Sequence, residues 1–172
     1  PNFIDLEKLA EDGLVTKELL DSINWGKGCI DYERVLKNRP TVLREAYKNG
    51  YPKVREEVTD FAEENTAWIY DYALYTALKE HFDMLPWYEW PEDIRLRKKE
   101  AVDKFREELK DEISYHIYVQ YLFYRQWNEL KKYIHKKGIK FIGDLPIYVA
   151  MDSADVWSSP ESFQLDEDNV PV

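Results

Sequence analysis

Between Ile94 and Lys137, Val102, Phe105, Leu109, Ile113, His116, Gln120, Phe123, Trp127, Leu130 and Ile134 advance by threes and fours. That is the helical period held over many turns, and it predicts one helix over about 94–137. At about 1.5 Å per residue such a helix would run roughly 50 to 60 Å, more than one compact domain of this size needs, so it is expected to connect two bodies. Gly138 stands where a helix C-terminus favours glycine. The next residues, Ile139-Lys-Phe-Ile-Gly143, are apolar, β-branched and bounded by glycines, which predicts a short buried strand. A helix, a tight turn and a buried strand form half of a βαβ unit, in which the end of the strand carries function.

The remainder reads as helix. Leu6 and Leu9 share a face before Gly13 stops the first element, and Thr16 to Ile23 gives a second short one. From Asp31, an expected N-cap, apolar residues recur to Tyr47, with Pro40 predicted to divide the stretch into two pieces. Helical spacing returns in 53–65 and again in 66–82, where Asn65 is the expected cap and Trp68, Tyr72, Tyr75 and Leu78 the apolar face. Pro86 and Pro91 break the aromatic stretch Asp83–Arg95, leaving Trp87, Tyr88 and Trp90 on irregular backbone and expected to be exposed, as is Tyr32. The fold class is therefore mainly α with a short β element: a mostly helical region over 1–137, then a strand and its following loop over 138–172.

Several classes of function are excluded or disfavoured. A net charge of −10 repels phosphate, which argues against nucleic acid and anionic membrane as partners. No uninterrupted apolar run reaches the roughly 20 residues of a membrane span, and the first residues lack the basic and apolar regions of a signal peptide. The single cysteine, Cys29, has no internal partner, and His81, His116 and His135 are scattered with no second soft ligand, so neither a disulfide framework nor a structural zinc site is expected. A reducing, cytoplasmic setting fits. The absence of an initiator Met and the ending in Leu-Asp-Glu-Asp-Asn-Val-Pro-Val suggest a piece of a longer polypeptide.

Chemistry-bearing candidates collect near 141–157. Asp144 follows the predicted strand directly, where it can bind a sugar hydroxyl, ligate a cation or orient another group; before Leu-Pro it can equally fix the turn through backbone N–H groups. Asp152, Ser153 and Asp155 offer the same choice, with the pattern of a helix cap and an acidic first turn. Aromatic residues make up 15% of the chain, a content that suits both carbohydrate rings and ordinary packing. His116 lies on the apolar stripe, where a buried, hydrogen-bonded role is expected. No nucleophile elbow, phosphate-cradling loop, HExxH or dinucleotide fingerprint is present.

Three stretches, residues 71–97, residues 115–157 with "GIKFIGDLPIYVAMDSADVW", and "FQLDE" at 163–167, resemble the 4-alpha-glucanotransferases, also called amylomaltases or disproportionating enzymes. The likeness extends to "PNFIDLEKLAEDGLV" and so spans essentially the whole chain. It implies a fragment of a (β/α)8 TIM barrel, made of a helical insertion subdomain and the strand-three region. It also implies retaining, double-displacement transfer of α-1,4-glucan segments to glucose or maltooligosaccharide acceptors, with no cofactor or metal. The family's three catalytic carboxylates look to lie beyond Val172, so no catalytic residue is assigned and the isolated chain is expected to be inactive. In the wider α-amylase-like clan the third strand is followed by an Asp and then an Asn-His pair. Asp144 matches the Asp, whereas Tyr148 and Val149 replace the pair, which removes an oxygen ligand used by calcium-binding members. The resemblance makes Asp144, Tyr148, Asp152 and Ser153 candidates for shaping the sugar site, and Tyr32 one for a surface glucan contact. The expected partners are α-1,4-glucans, maltooligosaccharides and the remainder of the parent barrel. The alternative is a noncatalytic helical module that binds glucan or a protein through exposed aromatics.

Overall fold

A computed structural model describes residues 2–26, 28–166 and 169. Nine α-helices occur among them: α1 (Leu6–Glu11), α2 (Lys17–Ser22), α3 (Tyr32–Gly50), α4 (Arg55–Glu64), α5 (Ile69–His81), α6 (Glu92–Arg95), α7 (Lys99–Glu108), α8 (Lys110–Lys136) and α9 (Ala154–Ser158). The chain divides into two units, Pro1–Glu64 with Tyr118–Lys140, and Asn65–Ile117 with Phe141–Val172. The first two turns of α8 count with the second unit and the rest with the first. Glu167, which closes the Phe-Gln-Leu-Asp-Glu stretch, lies outside the described residues.

In the first unit, side-chain caps start the helices that the sequence marks. Thr16 accepts from the Leu19 N–H and Asp31 from the Arg34 N–H, each satisfying a backbone donor that the helix itself leaves free. Val42, Leu43, Ala46, Val58, Ala62, Tyr118 and Leu122 are buried. Tyr118 donates its hydroxyl to the Ala46 carbonyl at 3.2 Å and meets Tyr47 and Tyr51 edge-on. Burial raises its pKa to about 12. Gly50 makes this approach possible, because a Cβ there would lie 2.1 Å from the Tyr118 hydroxyl oxygen and 2.8 Å from Leu14 Cδ2.

The second unit has its own core. Leu74, Tyr75 and Leu78 of α5 join Trp87, Trp90, Ile94, Val102, Phe105, Val156 and Trp157 in one cluster. Trp157 is fully buried and donates its indole N–H to the Ile94 carbonyl at 3.2 Å. Trp87 and Trp90, expected on the surface, are buried instead. A short 3-10 turn over Trp87–Glu89 folds both rings inward, and their indole N–H groups reach the carbonyls of Met151 and Leu85. Proline has fixed the loop's path here without forcing its aromatics into water. Of the aromatics assigned to the core by helical spacing, Tyr75 is buried while Trp68, Tyr72, Phe123 and Trp127 are half-buried.

Three further expectations are corrected. Residues 32–50 form one helix through Pro40, not two. Pro40 and Leu36, whose carbonyl loses its amide partner, both face solvent, where water can satisfy it, while Val42, Leu43 and Ala46 anchor the second half. The stretch 94–137 is not one helix: α6 ends in a turn with Arg97 at φ +54°, and Leu109, at φ −102° and ψ 20°, separates α7 from α8. At Leu109 only one residue departs from helical geometry, so the apolar stripe continues across the break. Third, Ile139–Gly143 forms no strand, and no β-strand is present among the described residues. A ladder needs a partner, and without one the segment stays irregular and exposed. α8 itself ends as expected, with Gly138 at φ +75° and its N–H on the His135 carbonyl. Asn65 does not cap α5 through its side chain; the helix starts four residues later, and the Asn65 carbonyl and side chain accept from Trp68.

Two substitutions test this packing. Trp157→Ala should cost about 3–5 kcal/mol in urea unfolding of the chain, the usual consequence of deleting a buried large aromatic. Gly50→Ala should cost about 1–3 kcal/mol by overpacking against Tyr118, and Gly50→Ala combined with Tyr118→Phe should recover part of that loss.

Candidate functional site

The second unit's candidate site is organised by one carboxylate. Asp152 precedes α9, whose N-cap Ser153 accepts from the Val156 N–H, while Asp155 occupies the first turn. Three donors converge on Asp152. The Tyr75 hydroxyl reaches Oδ1 at 2.7 Å, the Trp87 backbone N–H reaches the same oxygen at 3.2 Å, and Lys79 Nζ reaches Oδ2 at 2.7 Å. Lys79 is buried and gives its remaining protons to the carbonyls of Met84 and Leu85, both at 2.9 Å. All three ammonium donors are thus matched, as a buried cation requires.

Burial works against the charge on Asp152, but the hydrogen bonds from Lys79, Tyr75 and the Trp87 N–H outweigh it and hold the carboxyl below its ordinary range. Burial, then the bond to Asp152, raises the pKa of Tyr75 far above that of a free phenol. At neutral pH the node therefore holds Asp152 as a carboxylate and Tyr75 as a neutral phenol. It ties α5 and the loop after it to the residues that lead into α9.

The sequence candidates sit differently around this node. Asp144 and Tyr148 lie on the exposed stretch 139–149, where Ile142 is 98% and Tyr148 89% accessible. Asp152 and Ser153 have their side chains engaged within the fold, as described above. Tyr32 is the first residue of α3, in the first unit, with 71% of its surface accessible. A cavity of about 560 Å³ beside α9 is lined by Trp68, Tyr72, Asp71, Asp155, Ser158 and Ser162 among others, combining aromatic faces with hydroxyls and carboxylates. Arg97 stands close by, donating to Asp71 Oδ1 at 2.8 Å with its guanidinium 4.3 Å from the centre of the Trp157 ring. These contacts offset the strain of its left-handed backbone. Sequence reasoning passed over both Lys79 and Arg97, since neither belongs to a motif. The only local signals were a lysine on the apolar face of α5 and an arginine after the short Pro-initiated helix.

A larger cavity of about 840 Å³ lies in the first unit, lined by Phe3, Phe123, Trp127, Leu130 and Tyr133. Its polar rim is already paired, Lys8 with Glu129 and Gln126 with the Asp5 backbone. Size favours this cavity, but the smaller one in the second unit adds serine hydroxyls to its carboxylates and aromatic faces.

Comparison with known proteins decides the family. The family model described as 4-alpha-glucanotransferase matches residues 1–170. The chain belongs to the 4-alpha-glucanotransferase family. It is 42% identical over 172 residues to a 4-alpha-glucanotransferase of Clostridium butyricum, covering 99% of this chain and 35% of that protein. The chloroplastic/amyloplastic 4-alpha-glucanotransferase DPE1 of Arabidopsis thaliana is 31% identical over 180 residues, covering 98% of this chain and 30% of that protein. Among solved structures, the amylomaltase from Streptococcus agalactiae in complex with acarbose superimposes with a TM-score of 0.92 at 39% identity. That match covers 98% of this chain and 35% of the amylomaltase. The chain thus spans about a third of the length of these family members and shares the fold of that portion. No helix among the described residues is long and apolar enough to cross a membrane.

Removing the central charge should loosen the second unit. Asp152→Ala strands the buried Lys79 ammonium; because Asp152 is about one-third exposed, screening lowers the expected cost to about 2 kcal/mol by chemical denaturation. The depressed folded-state pKa also sets a sign. The stabilisation from Asp152 is present above the unfolded carboxyl value of about 3.9 and is lost as pH falls through the folded value. Urea midpoints measured from pH 6 downward should therefore fall more in the wild-type chain than in Asp152→Ala.

Proposed function

We propose that this chain is the part of a 4-alpha-glucanotransferase that supplies a helical insertion and the third-strand edge of a barrel's glucan groove. The observation that carries this reading is the stretch 139–149, apolar yet exposed, leading directly into the fixed Asp152 node. Such a segment takes strand form when neighbouring strands pair with it. Those strands would come from the two-thirds of the family's length that this chain does not span. Asp144 and Tyr148 would then stand at the strand's end and contact glucan hydroxyls and ring faces. Asp152 and Ser153 would act through position, holding the loop that follows.

The parent enzyme would transfer α-1,4-glucan segments to glucose or maltooligosaccharide acceptors with retention of configuration. Such chemistry uses two carboxyl groups about 5–5.5 Å apart, one forming a covalent glycosyl intermediate and the other moving the proton. We assign neither to this chain. Acarbose in the Streptococcus agalactiae amylomaltase supports an oligosaccharide as the ligand class. A reducing, cytoplasmic setting belongs to the same proposal.

The test is disproportionation of maltotriose, read as glucose release. The purified 172-residue chain should release none. In the full-length enzyme, Asp144→Ala should lower kcat/KM by roughly 100-fold, about 2.7 kcal/mol of transition-state binding. Unchanged kcat/KM would remove Asp144 from the groove. The exposure of Tyr32 favours a second reading, a noncatalytic glucan-binding module. That reading requires calorimetric binding of maltoheptaose to the isolated chain, abolished by Tyr32→Ala.

A further inference from the structure

A separate cluster in the second unit has no part in the Asp152 node or in the proposed glucan groove. Glu112 and His116 are four residues apart on α8 and so share a helix face, and Glu80 meets them from the last turn of α5. One donor atom from each lies within 4.8 Å of the others. We propose that Glu80, Glu112 and His116 form a binding site for one divalent transition-metal ion of the Zn²⁺ type.

The distances suit the assignment. Two ligands each about 2.1 Å from a tetrahedral ion stand roughly 3.4 Å apart. His116 Nε2 and Glu80 Oε1 are separated by 3.4 Å. The third ligand comes from Glu112, half-buried in the first turn of α8, whose carboxylate lies within 4.8 Å of the other two donor atoms. His116 itself is 7% accessible, so its ring is held by packing and loses little freedom on binding an ion.

Electrostatics point the same way. Two carboxylates beside an imidazole give the cluster a negative charge that a divalent cation can neutralise. Glu80 also lies at the C-terminal, negative end of the α5 dipole, an adverse place for an anion and a favourable one for a cation. An imidazole beside two carboxylates selects against Ca²⁺ and Mg²⁺, which prefer all-oxygen shells, and suits Zn²⁺ and its neighbours. Three protein ligands leave a fourth position for water. The bound ion would clamp the end of α5 to the start of α8.

The experiment is zinc titration of the chelator-treated chain by calorimetry, with thermal unfolding as a second readout. One Zn²⁺ per chain and a raised Tm are expected. Glu80→Gln and Glu112→Gln, which keep the size and shape of each side chain, should each weaken binding roughly tenfold or more and remove the shift in Tm. Cys29→Ser, which deletes an exposed thiol that can bind zinc adventitiously, should leave the stoichiometry at one. No stoichiometric binding, binding lost with Cys29→Ser, or binding indifferent to both Gln variants would overturn the site. Equal competition by Ca²⁺ would overturn the metal class.

Discussion

The second unit is built around a charge placed where water cannot reach it easily. Lys79 stands in an α5 face that is otherwise Leu74, Tyr75 and Leu78, and an ammonium in that position costs several kcal/mol unless every proton finds an acceptor. The chain meets that demand with one carboxylate and two carbonyls drawn from two places in the sequence, Asp152 and the adjacent Met84 and Leu85. Once they converge, the loop 84–91 cannot slide, Trp87 and Trp90 are seated, and the approach to α9 is fixed. Apolar residues of similar volume often stabilise a buried site equally well, but they do not specify which loop lies over which helix.

Much of the local structure was legible because its causes are local. Asp31, Thr16 and Ser153 cap helices through their own side chains, and Gly138 ends α8 through its own backbone. What escaped was decided at a distance. Nothing near Pro40 announces that Leu36 faces solvent, and nothing near Trp87 announces a Met151 carbonyl 64 residues away. Periodicity also hid the break at Leu109, since one non-helical residue barely shifts the phase of an apolar stripe.

The same division holds for chemistry. Asp144 and Tyr148 could be named from a motif resemblance, and Ser153 from cap statistics. The partnership of Lys79 with Asp152 spans 73 residues, and Glu80 with His116 spans an interhelical contact; neither has a linear signature. Counting histidines and cysteines could not weigh such a cluster, because carboxylates are too common to count until a fold brings particular ones together.

The exposed stretch 139–149 also bears on how such a chain is made. An exposed run rich in Ile, Phe, Leu, Tyr and Val is the type of segment that pairs with copies of itself while a polypeptide is still incomplete. Asp144 and Pro146 interrupt it near its middle, one with a charge and the other by removing a backbone donor. Whatever they do for a sugar, these two residues act as gatekeepers during synthesis, lowering the risk that nascent chains join to each other before the rest of the protein has emerged.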